Sequence, residues 1–227
     1  MNVAIAKPLA RPRAILFDWD NTLIDSWAVI HEALNHTLGH MGHPLWTRAE
    51  TESRVRASLR DSFPALFGDR WNEAEKVFYD AFGRLHLEHL APLPGAEALL
   101  GELAQAGCYL GVVSNKRGNF LRLEAERLGW NRLFRQLAGA GDAARDKPCR
   151  EHVDHALGLG TANPGPVAGP DVWFVGDADI DMLCARNAGC RAILVRAQPP
   201  AGHEFAEAAP DLHFPDLPSL AAHLRQS

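Results

Sequence analysis

The chain has 227 residues, 47% of them hydrophobic and 22% charged, and a formal net charge of -5. That balance supports a folded core and excludes disorder over most of the length. A mildly acidic chain carries no electrostatic footprint for nucleic acid or an anionic membrane, and no apolar run approaches the roughly 18 residues that a membrane span needs.

Residues 1 to about 11 read as a loose tail without the charge-then-apolar order of a secretory signal. Residues 13–18, RAILFD, are a short apolar run ending in a carboxylate, the pattern of a strand covered on both faces. From about Ser26 to Leu90 no strand pattern occurs. Residues 26–41 carry apolar side chains at helical spacing. Thr47 with Glu50, and Asn72 with Glu75, have capping-box spacing and predict two more helices, the last running toward Leu90. Pro92 and Pro94 close this helical insert. Beyond it, helical patterns at 95–106, 119–128, 149–157 and 180–188 alternate with strand patterns at 109–114, 133–138, 172–176, 191–195 and 212–214. Gly107 and Gly129 stand where helices stop. The stretch 161–170, TANPGPVAGP, predicts a surface loop. Strands alternating with helices predict an α/β fold, a parallel sheet wrapped on both faces. The cysteines, Cys108, Cys149, Cys184 and Cys190, form no CxxC pair and read as thiols of a reducing cytoplasm, with a zinc site or disulfide as the lesser alternative.

In open parallel sheets ligands bind beyond the carboxyl ends of the strands. The first predicted strand is followed there by Asp18, Trp19, Asp20, Asn21 and Thr22, and the second ends in Ser114, Asn115 and Lys116. Asp146, Lys147 and Pro148 follow the third, and Gly176, Asp177, Ala178, Asp179, Ile180 and Asp181 the fourth. Carboxylates about 4 Å apart repel by roughly 4 kcal/mol at an effective dielectric near 20. A hard divalent cation resolves that repulsion, and magnesium, which takes few protein ligands and keeps room for a phosphate, fits best.

These residues resemble the haloacid dehalogenase superfamily and, within it, the phosphoglycolate phosphatase-like branch. The resemblance spans about Arg13 to Leu217 and rests on DWDNT at 18–22, Ser114, Lys147 before Pro148, and GDADID at 176–181, in that order. It implies a Rossmann-like core of residues 1–24 and 92–227 with an all-helical cap domain at 25–91. It implies a magnesium-dependent phosphatase acting on a small phosphorylated metabolite, as a monomer or homodimer. Asp18 matches the nucleophile and a metal ligand. Asp20 matches the general acid and base, with its backbone carbonyl on the metal. Thr22 matches the support of this loop, Ser114 and Lys147 the phosphate-holding residues, Asp177 the third metal carboxylate, and Asp181 the one behind it. Asn115 and Gly176 supply contacts nearby.

Asn21 stands where many relatives have glycine, and asparagine tolerates the left-handed backbone such a turn needs. Trp19 reads as a core side chain facing away from the site, and Asp179 as solvent-facing. Lys116 rivals Lys147 for the phosphate. His36, His40 and His43 offer a weak zinc pattern in the insert. Arg54, Arg56 and Arg60 read as exposed arginines, with a second substrate anion as their alternative. Competing functions are phosphoryl transfer within a sugar phosphate and a non-enzymatic interaction protein. Dehalogenation is disfavoured by Asp20, and phosphonate cleavage by Lys76 being the insert's single lysine.

Overall fold

The computed structural model describes residues 11–55 and 59–226, with Arg60 described by its backbone alone. Most of the expected amino-terminal tail, through residue 10, lies outside the described residues. Strands β1 (Ala14–Phe17), β2 (Tyr109–Arg117), β3 (Gln136–Ala140), β4 (Val172–Gly176), β5 (Arg191–Val195) and β6 (Leu212–Phe214) form one parallel sheet in the order β3-β2-β1-β4-β5-β6. Helices α1 (Trp27–His40), α2 (Arg48–Arg54), α3 (Leu59–Phe67) and α4 (Trp71–Leu85) lie between β1 and β2, followed by α5 (Ala96–Gln105). Next come α6 (Gly118–Arg127), α7 (Arg150–Ala156), α8 (Asp179–Ala188) and α9 (Leu217–Gln226).

β1 lies centrally because every one of its side chains is buried. Ile15 and Phe17 face a core built with α5, α6 and α9; Ala14 and Leu16 face a second core built with α7 and α8. From β1 the chain steps outward through β2 to β3, then crosses to β4 and continues to β5 and β6. Right-handed crossovers in opposite directions place their helices on opposite faces of the sheet. The reversal of direction opens a crevice at the carboxyl ends of β1, β2 and β4.

The helices α1 to α4 have an apolar core of their own. Val29, Leu34 and Leu38 of α1 meet Phe63 of α3 and Phe78 and Phe82 of α4. Thr47 caps α2 in a full capping box with Glu50. α4 departs from expectation: it starts at Trp71 after a 3-10 turn at Gly68–Arg70, has no side-chain cap, and ends at Leu85. α3 was not anticipated, and Pro64 inside it masks the helical pattern. α9 was also not anticipated. β3 begins three residues later than predicted and ends two later, and β2 runs on past Ser114 through Asn115, Lys116 and Arg117. The segments entering and leaving the helical unit run side by side: Asp25 N donates to Ala91 O at 2.9 Å and Leu93 N to Leu23 O at 2.8 Å. All four cysteines are free thiols. Among the described residues no helix is long and apolar enough to cross a membrane.

Candidate active site

Asp18 leaves the carboxyl end of β1 held to the neighbouring strand, its N–H donating to Val175 O at 2.9 Å. The chain then turns sharply. Asn21 takes φ 62°, its N–H donates to Ile24 O at 2.6 Å, and its side-chain oxygen accepts from Ser26 N at 3.2 Å. Asparagine meets this left-handed position at little steric cost, as the sequence predicts. The turn sends Trp19 into the core, fully buried against Trp130 and Phe134, and leaves Asp18 and Asp20 facing the crevice.

Three other strand ends meet Asp18. Lys147 is buried, and its ammonium donates to Asp18 Oδ1 at 2.6 Å and to Asp181 Oδ1 at 2.8 Å. Its peptide bond to Pro148 is cis. Asn115, at the end of β2, anchors this segment by accepting from Lys147 N at 3.0 Å. Ser114, buried beside it, lines the crevice and accepts from Lys116 N at 3.1 Å. After β4, Asp177 accepts from Thr22 Oγ1 at 3.1 Å, so Thr22 braces the site from behind and does not line the crevice. Asp181 accepts from Ala178 N at 3.1 Å. Gly176 makes room for this: a Cβ there would overlap the Asp181 carboxyl group. Asp179 is held by Ile180 N and stays outside the crevice.

Carboxylate oxygens of Asp18, Asp177 and Asp181 lie within 4.8 Å of one another. Burial pushes the Asp18 carboxyl up to about 7, with Asp181 and Asp20 adding to the rise against the pull of Lys147. Burial, Asp181 and Asp18 likewise hold Asp177 well above the carboxylate range. Burial pulls the Lys147 ammonium down, but Asp18 and Asp181 more than reverse this, so it stays charged. Three carboxylates against one ammonium leave two negative charges when all are ionised. A divalent cation fits that deficit, and an all-oxygen donor set suits a hard ion.

The Asp20 carboxylate lies outside this trio and pairs with Lys116, Nζ to Oδ1 at 2.7 Å. Lys116 in turn donates to Glu124 Oε2 at 2.6 Å. Glu124 also accepts from Trp19 Nε1 at 2.6 Å, and its Oε1 lies 2.8 Å from His86 Nδ1. Glu124 and His86 are buried, and sequence reasoning missed both. A signal existed: Glu124 falls in the apolar row formed by Leu121 and Ala125 of α6 and Leu128 just after it, where a carboxylate needs a partner. Burial drives the Glu124 carboxyl up, but Lys116, His86 and Trp19 together hold it below the usual range.

In the helical unit, His40 pairs with Glu73 at 3.2 Å and His43 packs on Phe67. His36, His40 and His43 are not part of the ligand trio found among the described residues. Arg54 pairs with Glu50 and lies over the Trp46 ring. Arg56 and the side chain of Arg60 lie outside the described residues.

Residues 15–195 match the family model described as haloacid dehalogenase-like hydrolase. The chain is 32% identical over 187 residues to the phosphoglycolate phosphatase of Xanthomonas campestris pv. campestris (strain 8004), covering 80% of this chain and 82% of that one. It is 27% identical over 213 residues to the pyrophosphatase PpaX of Anoxybacillus flavithermus, covering 92% and 95%. A crystal structure of a predicted phosphatase from Clostridium acetobutylicum superposes with a TM-score of 0.82 at 20% identity, covering 96% of this chain and all of that one, and so shares its fold. With the family model spanning the strand ends that meet at Asp18, the chain belongs to the haloacid dehalogenase-like hydrolases.

Proposed function

We propose that the protein is a phosphatase that hydrolyses a small phosphate monoester through an aspartyl-phosphate on Asp18. The observation that carries this reading is the Lys147 ammonium held between Asp18 and Asp181, 2.6 and 2.8 Å away, in the lining of a crevice shared with Ser114 and Asp177. The phosphatase names of the relatives support it.

A carboxylate nucleophile divides one hard displacement into two easier ones. In the first, an Asp18 oxygen bonds to phosphorus, the ester oxygen departs, and Asp20 supplies its proton. In the second, Asp20 takes a proton from water, whose oxygen displaces Asp18 and frees phosphate. Lys147 and Ser114 hold the phosphoryl oxygens, and the positive charge of Lys147 opposes the negative charge of the transferring group. A divalent cation, magnesium in this reading, would be held by Asp18, Asp177 and Asp181 with the Asp20 backbone carbonyl, and would offset further charge on the phosphoryl group. Asn115 serves the site by fixing the segment that carries Lys147. The helical unit acts as a lid that excludes bulk water.

The test is phosphate release from a panel of phosphate monoesters with magnesium and with chelator. Asp18→Asn should remove turnover while circular dichroism stays unchanged. Turnover that survives in this variant refutes the nucleophile, and isomer formation without free phosphate refutes hydrolysis.

A further inference from the structure

The crevice around the carboxylates continues beneath the helical unit. There its wall is built from Ile30 of α1, Trp46 of the connection to α2, Leu66 of α3, Tyr79 of α4 and Phe120 of α6. These side chains are half-buried and pack on the outside of the unit's core, so part of each apolar surface stays open to the cavity. The cavity encloses about 180 Å³. Three of its four cations among the described residues are held by carboxylates, and the fourth is stacked on a ring. Lys147 serves Asp18 and Asp181, and Lys116 is shared by Asp20 and Glu124. Arg54 pairs with Glu50 at 3.0 Å and covers Trp46, and Arg117 lies over the Tyr79 ring at 4.7 Å. A second anion entering here would face mostly rings and aliphatic chains, would compete with carboxylates for the two lysines, and would have to draw Arg117 off the Tyr79 ring. An apolar ring would instead cover surface that water now wets.

We propose that the alcohol released at this site is an apolar, ring-bearing one, not a short charged acid such as glycolate. The inference rests on the phosphatase reading above. The ester P–O bond breaks, its oxygen leaves with a proton as the alcohol, and water supplies the oxygen and the remaining proton of the phosphate. Burying a phenyl-sized group in such a wall is worth on the order of 10- to 100-fold in kcat/KM when the contact persists in the transition state.

The experiment compares benzyl phosphate, ethyl phosphate and 2-phosphoglycolate, each with magnesium. Benzyl phosphate should exceed both others by about tenfold or more in kcat/KM. Ile30→Ala and Leu66→Ala should each pull the benzyl-to-ethyl ratio toward one, a readout independent of how much of the variant folds. A preference for 2-phosphoglycolate, or equal rates on benzyl and ethyl phosphate, overturns this inference and leaves the phosphatase reading standing. No turnover of benzyl phosphate overturns this inference as well, and the phosphatase reading then stands or falls on the wider panel of monoesters.

Discussion

Replacing Glu124 by leucine, a side chain of similar volume, isolates the worth of the buried network behind Asp20. Glu124 is 1% exposed and receives Lys116, Trp19 and His86 at 2.6, 2.6 and 2.8 Å. Leucine fills the space but leaves the Lys116 ammonium buried with Asp20 as its one carboxylate, and leaves the donors of Trp19 and His86 without this acceptor. Breaking one side of a buried ion pair costs about 3–5 kcal/mol. Because Asp20 stays 2.7 Å from Lys116, we expect the lower end, about 3 kcal/mol. At a urea m-value of about 2 kcal/mol/M, that moves the unfolding midpoint down by roughly 1.5 M. The double variant Lys116→Met with Glu124→Leu removes both charges. It should be no less stable than Glu124→Leu alone, giving a coupling of about 2 kcal/mol or more in the mutant cycle. Urea unfolding followed by tryptophan fluorescence measures all four proteins. A loss below about 1 kcal/mol in Glu124→Leu, or strictly additive effects, would show that the network does not act as a unit.

Two further perturbations test the site's scaffold. Gly176→Ala places a methyl group where the Asp181 carboxyl sits, so Asp181 must move away from Lys147. We expect a loss of about 1–3 kcal/mol and a higher magnesium concentration for half-maximal turnover; an unchanged magnesium titration would refute the packing argument. His152, fully buried in α7, is held down from its ordinary 6.5 to about 4, first by burial and then by the charge of Lys147. Between those values the unfolded chain takes up a proton that the folded chain refuses, so stability falls as pH drops from about 6.5 toward 4. The contribution is about 2–3 kcal/mol. His152→Leu should flatten that part of the profile, and parallel wild-type and variant curves from pH 7 to 4.5 would exclude it.

What the sequence disclosed follows from how local each signal is. β1 and β4, and β5 after Arg191, are apolar because both sheet faces are covered, and a run of that kind is visible without knowing the neighbours. The turn at Asn21 and the Thr47–Glu50 cap are set by residues a few positions apart, and both were legible. α3 was hidden by Pro64, while α9 shows the row Leu217, Leu220, Ala221 and Leu224 and was overlooked although that row was legible. The site divides in the same way. Asp18 and Asp177 directly follow β1 and β4, Ser114 lies toward the end of β2 and Lys147 in the segment after β3, so one rule about strand ends brings them together. Glu124 and His86 come from separate packing units 38 positions apart, and their meeting is a property of three-dimensional packing. Lys116 therefore looked like a competitor for phosphate when its two carboxylate partners already hold it.

The paired connectors at residues 23–25 and 91–93 have a bearing on how such proteins diversify. Where the helical unit departs and returns, the two chains are hydrogen-bonded to each other, so the chain enters and leaves the unit through a single narrow neck. The length of whatever is spliced there imposes no strain on the strands below. A different set of helices, or a bare tight turn, could be grafted at that neck with the sheet left intact, which lets the choice of molecule be rebuilt while the reacting groups are inherited unchanged.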